Sequence, residues 1–137
     1  MTRNRKLAVL RLLLTAGAVG WGISFIGVFL PWRAMATAFT ALGAQSIPDD
    51  PMAVYWTRMA AVTFGFVGVL FAMMAAKPVA YRTMIPFAGL LMLGVGASTL
   101  VHGLVLKLPP FPFWGDVSFC IAIGAAIVLL RGAARKA

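Results

Sequence analysis

The chain has 137 residues, of which 62% are hydrophobic and 11% are charged, and its formal net charge is +9. Soluble domains are about half apolar and about a quarter charged, and a soluble fold of this length could not bury so much apolar surface. The composition therefore excludes a soluble domain. The positive charge does not indicate nucleic-acid binding, because the basic residues lie at the ends of apolar runs, as membrane topology requires.

Four apolar stretches are long enough to be transmembrane helices. Each approaches or exceeds the roughly 20 residues that cross a bilayer as a helix. Because lipid offers no partner to open strand edges, the sequence predicts an all-α integral membrane four-helix bundle, a single transmembrane domain over residues 1–137. The first apolar run far exceeds the ~7–15 residues of a cleaved signal core, so it is expected to be a retained signal anchor. In chain order, the predicted helices cover about residues 7–30, 51–76, 84–106 and 113–130.

The segment between the first two predicted helices, residues 31–50, carries apolar and polar side chains at helical spacing. This pattern predicts a short helix that lies flat in the membrane interface. The apolar stripe consists of Met35, Phe39 and Leu42, and the polar stripe of Arg33, Thr37 and Thr40.

The basic residues predict the orientation of the bundle. Nine of the twelve Lys and Arg residues flank the start of helix one, lie between helices two and three, or follow helix four. By the positive-inside rule, both termini and the 77–83 link are expected in the cytoplasm of a multi-pass protein of the bacterial inner membrane. The shortness of this link also predicts that helices two and three form an antiparallel hairpin.

Two aspartates stand where helices are predicted to begin. Asp50 directly precedes Pro51, the pairing typical of an N-cap and a first helical residue, and it is predicted to cap helix two. Asp116 is expected either to cap helix four or to lie in its first turn. The preceding segment, residues 107–116, holds three prolines and three aromatic residues. It is predicted to be a stiff loop that serves as a lid, an interfacial hairpin or a docking surface.

The scarce ionisable side chains gather at the predicted outer face. Arg58 lies inside helix two, so it either extends outward to the lipid headgroups or pairs with an aspartate. His102, the only histidine, lies near the outer end of helix three. Because ionisable groups within a membrane need partners, these side chains are predicted to form either a polar clasp between helices or a ligand-binding site. The predicted set is Arg58, His102, Asp116 and Asp49.

The sequence contains no complete catalytic set, so the catalytic residues stay unknown and an enzymatic role is left open. One histidine and one cysteine on different helices give no familiar metal-ligand spacing, and Ser98, His102 and Asp116 would lack an oxyanion hole. No cofactor is therefore predicted, and one alternative remains. Small Ser98 and Gly103 beside His102 leave room for a flat tetrapyrrole ring with the imidazole as axial ligand. The alternative is a hydrogen-bonded core histidine.

Small residues recur along all four predicted helices. Some are four residues apart, such as Ala61 and Gly65, or Cys120 and Gly124. This spacing lets helix backbones approach closely in a membrane. The abundance of such faces favours a protein that packs against other membrane subunits.

Three segments carry a resemblance to a known group of proteins. They are YWTRMA at residues 55–60, Pro78 and Tyr81 of the short link, and HG at residues 102–103 followed by PPFPFWGDV at residues 109–117. With these segments the chain resembles small four-helix bacterial membrane proteins loosely grouped with DoxX-like proteins, over most of its length. The resemblance implies the four-helix topology and supplies no catalytic motif. DoxX relatives are associated with redox-linked membrane complexes, which favours an accessory subunit.

Two functional hypotheses follow from these features. The first is a non-catalytic accessory or assembly subunit of a larger membrane protein complex, whose partners are the lipid bilayer and other membrane subunits or further copies of the chain. The alternative is a protein or enzyme that binds a small apolar ligand, such as a quinone, lipid or tetrapyrrole, at the outer mouth of the bundle. A transporter ranks third, because the sequence shows no mid-membrane charge or broken helix.

Overall fold

The structure, a computed structural model, describes residues 2–45 and 48–134, except for the side chains of residues 111 and 112. Every regular element within these ranges is a helix. Two 3-10 turns, Ile23–Phe25 and Arg131–Ala134, extend the first and last helices. The α-helices are α1 (Arg3–Gly22), α2 (Ile26–Phe29), α3 (Trp32–Ala41), α4 (Pro51–Ala76), α5 (Met84–Val105) and α6 (Pro110–Leu130).

Four helical segments are long and apolar enough to cross a membrane. The first, Arg3–Phe29, joins α1 and α2 through a 3-10 turn, and the others are Pro51–Ala76, Met84–Val105 and Phe113–Ala134. These segments confirm the all-α class and the four candidate spans. The short helix α3 lies between the first two spans, where a helix was predicted, and it buries Met35 while its threonines are exposed.

The order of the helices around the bundle is α4, α1, α6, α5. Helix α1 packs along α4 and also against α6, and α5 packs along α6. Helices α4 and α5 touch little, although only a short link joins them. The two helices of the predicted hairpin are therefore not each other's main packing partners.

Glycines determine which helices pack closely. On α4, a Cβ added at Gly68 would lie 2.5 Å from the Cα of Gly22 on α1, so the two backbones are nearly in contact. On α5, a Cβ added at Gly89 would lie 3.1 Å from the carbonyl oxygen of Gly124 on α6. Close approach of the backbones increases van der Waals contact between the helices. This contact matters in a membrane, because burying apolar side chains away from lipid stabilises the bundle little. It explains why α1 pairs with α4 and α5 pairs with α6.

The best-packed core lies at the end of the bundle where α1 and α5 begin and α4 and α6 end. Leu10, Ile85 and Ile127 are fully buried there, next to Met74. The basic ends of these helices therefore lie together at one end of the bundle. At this end and elsewhere in the described ranges, no polar or charged side chain is fully buried.

The connection between α5 and α6 differs from the prediction. Helix α6 begins at Pro110, so residues 110–116 form its first two turns instead of a stiff loop. Prolines are tolerated there because the first N–H groups of a helix have no intrahelical acceptor. Asp116 therefore lies in the second turn of α6, and the prediction of a cap or a first-turn position was wrong.

Helix α5 ends in a tight turn that leads directly into α6. The N–H of Leu108 donates to the carbonyl of Gly103 at 3.0 Å, and the N–H of Lys107 donates to the carbonyl of Leu104 at 3.2 Å. These two bonds define a Schellman motif, whose left-handed position glycine usually occupies. Here Lys107 occupies it with φ 52°. The turn sets Leu108 and Pro109 beside the start of α6.

Candidate functional site

Asp50 is the N-cap of α4. Its backbone is extended, with φ −108° and ψ 131°, and its Oδ2 accepts a hydrogen bond from the N–H of Ala53 at 3.0 Å. Pro51 follows as the first helical residue and needs no N–H acceptor. The neighbouring Asp49 is exposed and lies outside the helix.

Arg58 reaches from α4 to the end of the first span. Its guanidinium donates to the carbonyl of Val28 and, at 3.1 Å, to the carbonyl of Leu30. Pro31 ends this span, so its last carbonyls have no helical N–H partner, and they carry the negative end of the helix dipole. Arg58 thus caps a neighbouring helix instead of pairing with an aspartate.

His102 is exposed on α5 and bonds to its own helix. Its Nδ1 lies 2.7 Å from the carbonyl oxygen of Ser98 and 3.4 Å from the Ser98 hydroxyl. Because a carbonyl only accepts, Nδ1 carries the proton, and in the neutral imidazole Nε2 is left as an acceptor.

The space predicted for a tetrapyrrole beside His102 is only partly present. The ring of Phe113 packs against Gly103, where a Cβ would collide with it. The Phe113 ring therefore occupies the part of the predicted space next to Gly103. The Ser98 side is open, since Ser98 is exposed.

Asp116 faces a cavity of about 250 Å³ at the junction of α5 and α6. Its carboxylate makes no ion pair within 4.0 Å with any described residue. The rest of the wall is mainly apolar. The lining residues are Ala44, Gln45, Thr99, Leu108, Pro109, Phe113 and Asp116.

Arg58, His102 and Asp116 lie at the same end of the bundle but do not bond to one another in the described part of the chain. Arg58 is held by the end of α2, and His102 is held by its own helix. The direct hydrogen-bonded clasp that was predicted for these side chains is therefore not formed. Of the predicted site residues, only Asp116 lines the cavity.

Comparisons with known proteins do not narrow the function. No protein family matches the chain, and neither the curated proteins nor the solved structures give a significant match. Among the described residues, no three His, Cys, Asp or Glu side chains lie close enough together to hold a metal ion.

Proposed function

We propose that the protein is a non-catalytic accessory or assembly subunit of a larger membrane protein complex, which it contacts through the outward face of α5. The observation that carries this proposal is the surroundings of Gly94. Gly94 is exposed, and a Cβ added there would meet nothing within 4 Å. Glycine costs a helix about 1 kcal/mol relative to alanine. An unfilled glycine in the middle of a membrane helix is explained if a helix from another protein packs there.

Polar side chains continue this face along α5. Gly94, Ser98 and His102 are four residues apart, and all three are exposed. In lipid, small residues allow close approach, and hydroxyl and imidazole groups form hydrogen bonds across helices. The Nε2 acceptor of His102 has no partner within its own helix, since only Nδ1 faces Ser98. The expected partner is therefore a transmembrane helix with a hydrogen-bond donor opposite His102.

A pair of glycine variants tests this proposal. Gly94→Leu fills the face, whereas Gly115→Leu fills another position where an added Cβ meets nothing within 4 Å. The wild-type protein, purified from its own membranes in mild detergent, should elute with a stoichiometric partner. Gly94→Leu should lose this partner, and Gly115→Leu should keep it. A wild-type monomer in both detergent and nanodiscs contradicts the proposal, as does a homo-oligomer that Gly94→Leu disrupts.

Ligand binding at the α5–α6 end of the bundle is the second candidate function, and the cavity favours it. Its volume of about 250 Å³ lies just below the roughly 300–1,000 Å³ typical of sites for drug-sized ligands. A small ligand or one end of a lipid suits this volume better than a whole tetrapyrrole. Lipid extraction and an absorbance spectrum of the purified protein test the class of ligand. A tetrapyrrole at His102 would instead give a visible band that His102→Ala removes.

We also propose the bacterial inner membrane as the location, with both termini and Lys77 cytoplasmic. The support is the clustering of basic residues at one end of the bundle, as the positive-inside rule requires. The test uses Lys77→Cys and Asp49→Cys, each in a Cys120→Ala background that removes the buried native thiol. A membrane-impermeant maleimide added outside should label position 49 alone. Labelling of both positions from one side contradicts the orientation.

A further inference from the structure

We propose that the cavity between α5 and α6 binds the ammonium group of an organic cation, supplied either by a free small amine or by a lipid headgroup. The inference rests on the second candidate function and does not depend on the docking of α5. Among the described residues that line the cavity, Asp116 alone has a charged side chain. Its negative charge favours cationic ligands over neutral or anionic ones.

The Asp116 carboxylate is exposed at the cavity, and its charge disfavours several ligand classes. The carboxylate repels phosphates and other carboxylates, and a neutral quinone offers it no opposite charge. An ammonium group gives it an ion pair with charge-assisted hydrogen bonds, which are stronger than hydrogen bonds between neutral groups. The described residues supply no such partner within 4.0 Å.

The rest of the wall suits a small amphiphilic cation. Thr99 offers a hydroxyl and Gln45 an amide, which can bond to further polar atoms of the ligand. Leu108, Pro109 and Phe113 form an apolar side that suits methyl or methylene groups. These features match an alkylammonium ion or the choline or ethanolamine end of a lipid.

The size of the cavity supports the same class. A volume of about 250 Å³ corresponds to about eight waters at roughly 30 Å³ each. Choline or butylammonium fits such a space. The acyl chains of a lipid would have to lie outside it.

Lys107 provides a test that leaves the wall intact. It directly precedes the wall residue Leu108 and is exposed. As a cation next to the cavity, it should oppose the binding of a second cation. Lys107→Gln is therefore expected to tighten binding about two- to fivefold, as expected for like charges near a surface.

The experiment measures binding of choline, and of its neutral carbon analogue dimethylbutanol, to the full-length protein in phosphatidylglycerol nanodiscs by calorimetry. Choline should bind and dimethylbutanol should not. Asp116→Asn should weaken choline binding at least about tenfold. Asp49→Asn, the same charge change outside the wall, should leave it unchanged. Gly94→Leu changes the docking face and not the cavity, so it should bind choline as the wild type does. The cation-binding proposal can therefore fail or hold independently of the docking proposal.

A second arm distinguishes the source of the ammonium group. Native mass spectrometry of protein taken from vesicles of equal phosphatidylethanolamine and phosphatidylglycerol content records which lipid is retained. Retention of phosphatidylethanolamine that Asp116→Asn abolishes supports a lipid headgroup, whereas choline binding without lipid retention supports a free amine. The proposal is overturned if both arms show no preference for the cation. It is also overturned if Lys107→Gln weakens binding or leaves it unchanged.

Discussion

Replacing Gly68 by alanine should separate α1 from α4. The new Cβ would lie 2.5 Å from the Cα of Gly22 and 2.9 Å from the carbonyl oxygen of Ala18. Non-bonded carbon atoms pack best at about 3.5–4.0 Å, so the helices must part by about 1 Å at this point. Both opposing atoms belong to the backbone of α1, so no change of rotamer can relieve the clash.

The expected loss of stability follows from two opposing effects. Overpacking of this kind costs about 1–3 kcal/mol, and the upper half of that range applies because backbone must move. Alanine gains about 1 kcal/mol over glycine in helix propensity. The net destabilisation should therefore be about 1–2 kcal/mol.

The matched control is Gly94→Ala on α5, where the added Cβ meets nothing within 4 Å. This variant carries the same propensity gain without the clash, so the isolated protein should be unchanged or stabilised by up to about 1 kcal/mol. The assay is the free energy of unfolding in dodecylmaltoside micelles titrated with SDS, followed by tryptophan fluorescence. If Gly68→Ala is as stable as Gly94→Ala, the close crossing of α1 and α4 is refuted.

Substitutions at three further positions, Asp50, Arg58 and Lys107, should give defined changes in the same unfolding assay. Asp50→Ala should lower the free energy of unfolding by about 1 kcal/mol. Asp50→Asn should nearly retain the wild-type value, because the amide oxygen still accepts the hydrogen bond. Equal losses in the two variants would show that the charge of Asp50 matters more than its capping bond. Arg58→Met should cost about 1–3 kcal/mol, because it leaves the carbonyls at the end of α2 unpaired, and Asp49→Asn should not reproduce this loss. Lys107→Gly should stabilise the protein by about 1 kcal/mol by relieving the left-handed backbone, and a loss of stability would argue against that conformation.

The spans were predictable because the bilayer restricts the choice of structure. Length and hydropathy decide whether a segment can cross a membrane, and both are properties of the sequence alone. The Asp50 cap is predictable for a related reason, since the cap and its acceptor N–H lie three residues apart. Interactions this local do not depend on how the helices are arranged.

The partners of the polar side chains were not predictable in the same way. Arg58 is held by carbonyls, which every helix end provides, so the residue type gave no sign of the acceptor. The available signal was Pro31, which ends the first span and leaves its last carbonyls free. Gly94 and Gly96 likewise look alike in sequence, yet Gly96 packs against Cys120 and Ile121 of α6 while Gly94 faces outward. Only the helix neighbours distinguish the two.

The arrangement of α1 between α4 and α6 has a consequence for synthesis of the chain. Helices α1 and α4 can pair as soon as both have entered the membrane, and α5 and α6 can pair later. The contact between α1 and α6, where the ring of Phe119 packs against Gly20, must wait for the last helix to leave the ribosome. Until then the side of α1 that faces α6 is open to lipid. A nascent chain that stalls after α5 therefore presents this surface to insertion factors and membrane proteases.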